Sequence, residues 1–188
     1  MNFKLLNNWY NSDALRQLEF PELVRQWLSG SGSMTLAMRE LTDNQLTIRV
    51  LSSGMQTINE QEAHLLGIDS DAEVYTREVL MQHEGESLLY GRSIFPATLS
   101  EQAMRTIKGL GDEPLGEVLF EANKQPRLSM QYAMVDSAMY LYQSLAKHLP
   151  QTDPLYARRS LFCYHDELVL VQEIFLTEHP INAVVSSE

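Results

Sequence analysis

The chain has 188 residues, enough for one domain with a substantial core, and 44% of them are hydrophobic against 21% charged, as in ordinary globular proteins. Its net charge of −11 argues against nucleic acid or an anionic membrane surface as partner, since both need basic patches. The lone cysteine, Cys163, rules out an internal disulfide, no apolar run nears the ~20 residues that span a bilayer, and residues 1–10 lack a secretory signal, so a cytoplasmic protein is expected.

Residues 12–28 carry a helical pattern, with Pro21 opening a second short helix over 22–28. Gly30-Ser31-Gly32 breaks it, and Ser33 can cap a helix over Met34–Leu41. Leu46, Ile48 and Val50 alternate with Thr47 and Arg49, which predicts a strand over 45–51, with another short one over 55–58. Residues 59–72 read as an acidic surface connection holding one short helix. Residues 73–81 and 87–95 read as the strands of a hairpin around His83-Glu84-Gly85-Glu86. Ser100 can cap Glu101–Lys108, Gly109-Leu110-Gly111 stops that helix, and Pro114 opens another through Phe120. Residues 128–149 have the length and spacing of a longer helix, with Met130, Met134 and Met139 as core filler. Two final strands, 159–165 and 168–176, join through Asp166-Glu167, and the residues after His179 are expected to fray. Hairpin-linked strands with helices grouped between them predict an α+β fold. We expect a single antiparallel β-sheet covered on one side by helices, in one domain over 1–188.

The hairpin carries the sharpest chemical signal. Tyr75, Arg77, Val79 and Met81 share one face of its first strand, and Leu88, Tyr90, Arg92 and Ile94 share one face of its second. A two-residue turn at Glu84-Gly85 sets Arg77 opposite Arg92, whereas a three-residue loop sets Arg77 opposite Ser93. Like charges directly opposite destabilise a sheet, and an uncompensated buried guanidinium costs several kcal/mol, so a facing pair points to a bound anion. The other reading has each arginine reaching solvent or one of the 25 acids. Ten of the 14 basic residues are arginine, whose planar donor fork matches a carboxylate.

Glu173 is the second signal. It sits in an apolar run over 169–176 that reads as a central buried strand, where a carboxylate needs a partner. That partner is Arg158, Arg159 or a sheet arginine, or else a ligand hydroxyl. His64, His83, His148, His165 and His179 show no metal-ligand spacing, so no metal site is expected, and Cys163 reads as an inert core thiol. Gly30-Ser31-Gly32-Ser33 lacks both the phosphate-loop lysine and the dinucleotide fingerprint.

Several short motifs in order resemble one family. Trp27-Leu28, Gly32-Ser33-Met34-Thr35, Thr76-Arg77-Glu78-Val79, Gly91-Arg92-Ser93 with Pro96, Pro114-Leu115-Gly116 with Leu119-Phe120, Arg158-Arg159-Ser160 and Glu173-Ile174-Phe175-Leu176 together resemble chorismate pyruvate-lyase, over residues 23–180. The resemblance implies an antiparallel α+β domain with the ligand enclosed beneath helical flaps. It implies conversion of chorismate to 4-hydroxybenzoate and pyruvate, the opening step towards the ubiquinone ring, with no metal or organic cofactor; separately, a monomer is expected. Carried over by position, Arg77 holds the ring carboxylate with the backbone N–H groups of Met34 and Leu115. Arg92 lies near the enolpyruvyl carboxylate, and Glu173 meets the C4 oxygen. An enclosed pocket that grips a benzoate carboxylate should release it slowly, giving product inhibition. The chain departs from the family pattern between Phe120 and Arg158, where residues 121–157 read as an insertion holding most of a helix.

A second reading is a non-catalytic aromatic-acid sensor, because the ligand-sensing domains of one bacterial repressor group resemble the same arginine-bearing hairpin. Those domains follow a DNA-binding domain of roughly 60–70 residues, typical of a small domain, and too few residues precede Ser33 for one. The sensor resemblance also does not supply Pro114-Leu115-Gly116 with Glu173.

Overall fold

A computed structural model describes residues 9–13, 20–121, 127–151 and 154–183 of the chain. Seven strands form one sheet: β1 (Tyr10–Asn11), β2 (Thr47–Gln56), β3 (Val74–His83), β4 (Glu86–Pro96), β5 (Arg127–Val135), β6 (Leu155–Tyr164) and β7 (Glu167–Phe175). Their order across the sheet is β1-β5-β6-β7-β4-β3-β2, and every neighbouring pair is antiparallel. Seven helices accompany them among the described residues: α1 (Glu22–Ser29), α2 (Met34–Leu41), α3 (Glu60–Leu66), α4 (Glu101–Lys108), α5 (Leu115–Glu121), α6 (Tyr140–Ala146) and α7 (Pro180–Ala183). None is long and apolar enough to cross a membrane.

The expected α+β antiparallel fold is the one observed, but helices cover both faces of the sheet rather than one. Val24 and Leu28 of α1, Met38 of α2, Ala103 and Ile107 of α4 and Leu119 of α5 pack on the face that carries Leu89, Phe95, Phe162 and Phe175. Ala63 and Leu66 of α3 and Leu141 and Leu145 of α6 pack on the other face, against Ile94, Leu170, Ala157 and Ile174. The central strands are apolar on both sides, so each face must be removed from water. Fully buried side chains such as Phe95 and Ile174 each contribute roughly 1.5–3 kcal/mol by that removal.

The two serine caps fall where the sequence places them. Ser33 accepts from the Leu36 N–H and Ser100 from the Ala103 N–H. Asn59 and Glu62 form a reciprocal capping box that starts α3. Four expectations differ. The strands expected over 45–51 and 55–58 are one strand, β2, with a register shift between Val50 and Ser52. The 59–72 connection is not wholly on the surface, because Glu62 is buried. The long helix expected over 128–149 is absent: β5 pairs with β6 as far as Val135, and α6 begins at Tyr140. Leu128, Met130, Tyr132 and Met134 alternate with period two, and pairing overrides the helical preference of Met, Leu, Gln and Ala. Finally, Pro180–Ala183 forms α7 with Ile181 buried, so fraying does not begin at His179, and residues 184–188 lie outside the described residues. Part of the helical pattern over 12–28 falls on 14–19, outside the described residues. Met134 is buried core as expected, and Met130 and Met139 pack against it or its neighbours.

One residue of register decides the chemistry. Glu84 and Gly85 both have positive φ, and His83 faces Glu86 across the expected two-residue turn. Between Gln82↔Ser87 and Met81↔Leu89, however, Leu88 is left as an extra residue. Its carbonyl accepts instead from the Leu176 N–H, at 2.9 Å. Beyond this bulge Arg77 faces Ser93 and Glu78 faces Arg92. The facing arginine pair does not exist, and the two guanidinium groups lie on opposite faces of the sheet.

Candidate active site

On the face carrying Arg77, six strands and two helix starts line a cavity that is partly open to solvent. Its floor holds Arg77 and Val79 of β3, Gly91 and Ser93 of β4, Val171 and Glu173 of β7, and Arg158 and Ser160 of β6. Ser33, Met34 and Thr35 at the start of α2 line it together with Pro114, Leu115 and Gly116 at the start of α5. The first N–H groups of each helix have no intrahelical acceptor, so both helix starts present free donors there. The two helices meet closely: a Cβ on Gly116 would lie 2.7 Å from Ser33 Oγ and 3.0 Å from Thr35 Oγ1.

Arg77 is 4% exposed, and no acid forms an ion pair with it among the described residues. Its Nη2 donates to the carbonyls of Gly111 and Glu113, both at 2.9 Å, so the loop before α5 holds the guanidinium without neutralising it. Burial lowers its pKa, an effect that Tyr75 and Asp112 only partly oppose. Glu173 is buried in the central strand β7, as its apolar surroundings predict. Arg158, its cross-strand neighbour, donates to it from Nε and to the Gly30 carbonyl, at 2.9 Å, from Nη1. Glu173 thus has its ion-pair partner inside the cavity. Among the described residues no three His, Cys, Asp or Glu side chains gather as metal ligands.

The structure therefore brings together Met34, Arg77, Leu115 and Glu173, and leaves Arg92 out. Arg92 is 1% exposed on the opposite face, paired through Nε with Glu62 at 3.2 Å and through Nη1 with Glu78. Burial alone would lower its pKa, but Glu62 and Glu78 outweigh that and raise it. Gln172 donates to the same Glu62 oxygen at 2.5 Å, and Ser52 Oγ and His148 Nε2 meet Glu78 Oε2 at 3.0 Å and 2.8 Å. Arg159, one residue after Arg158 and hence on this second face, bonds Gln131 at 2.7 Å and lies 4.3 Å from the Trp9 ring centre. Glu62 and Glu78 both pair with Arg92, and Arg159 forms no ion pair with an acid among the described residues. Placing Arg92 near a substrate carboxylate is corrected by the bulge, which moves it to a self-contained ion network.

Two cavity residues have no assigned role in the sequence reading. Arg158 was visible as one possible partner of Glu173 and in the Arg158-Arg159-Ser160 motif. Arg127, at the first position of β5, also lines the cavity. Nothing marks it in the sequence, because its segment carries helix-forming residues and no recognisable motif.

Comparison with known proteins bears on what this cavity serves. The Chorismate lyase family model matches residues 5–185. The chain belongs to the chorismate lyase family. A "Probable chorismate pyruvate-lyase" of Thiobacillus denitrificans is 34% identical over 157 residues, covering 83% of each chain. One of Pseudomonas putida is 33% identical over 168 residues, 89% of this chain and 88% of that one. Among solved structures, PhnF from Mycobacterium smegmatis superposes with a TM-score of 0.54 at 16% identity, over 80% of this chain and 66% of its own. A PhnF C-terminal domain gives 0.54 at 16% identity over 74% and 88%. Likeness at that identity shows a shared fold. In this member of the family the cavity lies on one face of the sheet and the Arg92–Glu62–Glu78 ion network on the other.

Proposed function

We propose that this protein is a chorismate pyruvate-lyase, cleaving chorismate to 4-hydroxybenzoate and pyruvate. The observation that carries the reading is Arg77, a buried guanidinium held among the described residues only by two backbone carbonyls, on the wall of a cavity that also contains Glu173. A carboxylate on Arg77 turns a costly buried cation into a charge-assisted pair. The N–H groups of Met34 and Leu115, at the starts of α2 and α5, add donors to the same carboxylate. Glu173, oriented by Arg158, meets the C4 oxygen at the far end of the ring. Chorismate then sits with its carboxylate and its C4 hydroxyl fixed.

In the reaction the C3–O bond breaks and the C4–H proton leaves. The electron pair of that C–H bond completes the aromatic ring, and the departing enolpyruvyl group takes the proton to become pyruvate. Aromatisation drives the step, so the protein contributes mainly by fixing the reactive conformer and stabilising charge on the departing oxygen. Passage of the C4 hydrogen directly to the leaving group needs no protein base, which suits a Glu173 already engaged by Arg158. The phenol-acid product keeps both anchors, which supports slow release and inhibition by 4-hydroxybenzoate, and it is chemically suited to become a ubiquinone ring.

The deciding experiment incubates the purified protein with chorismate in EDTA and identifies products by mass. Equimolar pyruvate and 4-hydroxybenzoate are expected, with Arg77→Gln raising KM for chorismate and Glu173→Gln lowering kcat. Binding of aromatic acids with no turnover would replace the lyase by the sensor.

A further inference from the structure

Chorismate carries two carboxylates, and Arg77 accounts for one. Counting charge around the cavity identifies a candidate for the other. Arg158 and Glu173 form a pair and cancel. Arg77 and Arg127 remain, and neither forms an ion pair with an acid among the described residues. The cavity thus holds two uncompensated cations, whereas Arg92 on the other face pairs with both Glu62 and Glu78.

We propose that Arg127 grips the second carboxylate of the substrate, the one on its enolpyruvyl arm, and so makes the pocket selective for dianions. The inference rests on the lyase reading above.

The guanidinium of Arg127 is prepared for an anion. It lies 5.0 Å from the ring centre of Phe162 and 5.4 Å from that of Phe120, two aromatic faces that fix its plane. Nη1 donates to the Ser31 carbonyl at 2.6 Å and Nη2 to the Gly32 carbonyl at 3.2 Å, so the group is held in place by neutral acceptors. Its Nε is buried and has no hydrogen-bond partner among the described residues. Burial and the neighbouring Arg158 both disfavour the charge, which an arriving carboxylate would relieve. Position agrees as well. Across the sheet the cavity residues run Arg77 on β3, Glu173 on β7, Arg158 on β6 and Arg127 on β5. A ring anchored by Arg77 and Glu173 has Arg127 beyond its C4 end, the side towards which the neighbouring C3 arm extends.

The test compares a monoanion with a dianion by calorimetry, using 4-hydroxybenzoate and 3-(carboxymethyloxy)benzoate on the wild-type protein, Arg127→Gln and Arg127→Lys. Arg127→Gln should weaken the dianion about 10- to 100-fold, the range of a lost charge-assisted bond, and change 4-hydroxybenzoate less than twofold. Arg127→Lys, which keeps the charge but not the fork, should fall between, and it serves alone if the glutamine variant does not fold. KM for chorismate should follow the dianion. Equal weakening of both ligands would reduce Arg127 to a brace for the Ser31-Gly32 linker, and no change in dianion affinity would overturn the proposal outright. The binding readout is independent of turnover, so an inactive wild-type protein would sink the lyase reading without deciding the anchor.

Discussion

Replacing Arg92 with methionine separates a structural ion network from a catalytic one. The side chain is 1% exposed, and its partners Glu62 and Glu78 are 3% and 6% exposed, so removal leaves two carboxylates in a nearly dry environment. Breaking a buried pair from one side costs about 3–5 kcal/mol. For a chain of this size each kcal/mol moves the melting temperature by about 2–4 °C, so a drop of roughly 6–20 °C is expected. Urea unfolding followed by tryptophan fluorescence measures the loss, and chorismate turnover at 15 °C measures function in the folded population. Turnover should stay within about threefold of wild type, because Arg92 is separated from the cavity by the sheet itself. Adding Glu62→Gln and Glu78→Gln should recover at least half the lost stability, since the stranded charges are then gone. A stable Arg92→Met protein with abolished turnover would refute the assignment of Arg92 to the back face.

His179 is fully buried between Trp27 and Phe175, with Nδ1 accepting from the Ile181 N–H, and burial pushes its pKa down to about 3. The native protein keeps it neutral while the unfolded chain protonates it near the ordinary value of about 6.5, so its stability contribution is complete above that pH and falls between 6.5 and 3. About 2 kcal/mol should be lost by pH 5, and His179→Asn, which can keep the acceptor, should lose correspondingly less between pH 7 and pH 5 in urea titrations; an unchanged pH slope would disprove this. Gly116→Ala should raise KM for chorismate and cost about 1–3 kcal/mol, because its Cβ would sit 2.7 Å from Ser33 Oγ and push α2 and α5 apart; unaltered KM and melting temperature would show the helices yield freely.

Local rules identified most elements because local chemistry specifies them. Ser33 and Ser100 supply the acceptors that helix starts require, and Glu84-Gly85 and His165-Asp166 adopt the positive φ that two-residue hairpins require. The second of these turns begins one residue earlier than Asp166-Glu167, with Tyr164 facing Glu167. What local rules missed is what distant partners decide. β5 is built from residues that favour helices, and it is a strand because β6 pairs along it. The cover of helices on both faces was readable in principle from β7, which after Glu167 is apolar on both faces apart from Gln172 and Glu173, a pattern that a sheet with one wet face does not show.

The site was legible to the extent that its residues announce themselves by being costly. Arg77 and Glu173 stand out because charged groups in apolar strands need a reason, and both lie in one cavity. Arg92 stands out for the same reason and has a different answer. No property of Arg92 itself separates the two cases; the bulge at Leu88 does, by turning the residues beyond it through one position. Had the ladder run without that extra residue, Arg92 would face the cavity, and Glu62 and Glu78 would be left unpaired on the back of the sheet. The bulge therefore does two things at once: it pairs the acids of one face with Arg92 and keeps Arg92 from facing Arg77 across the cavity. Arg127 completes that division from the far side of the sheet, at a position where no motif points to it and only the charge balance of the folded cavity does.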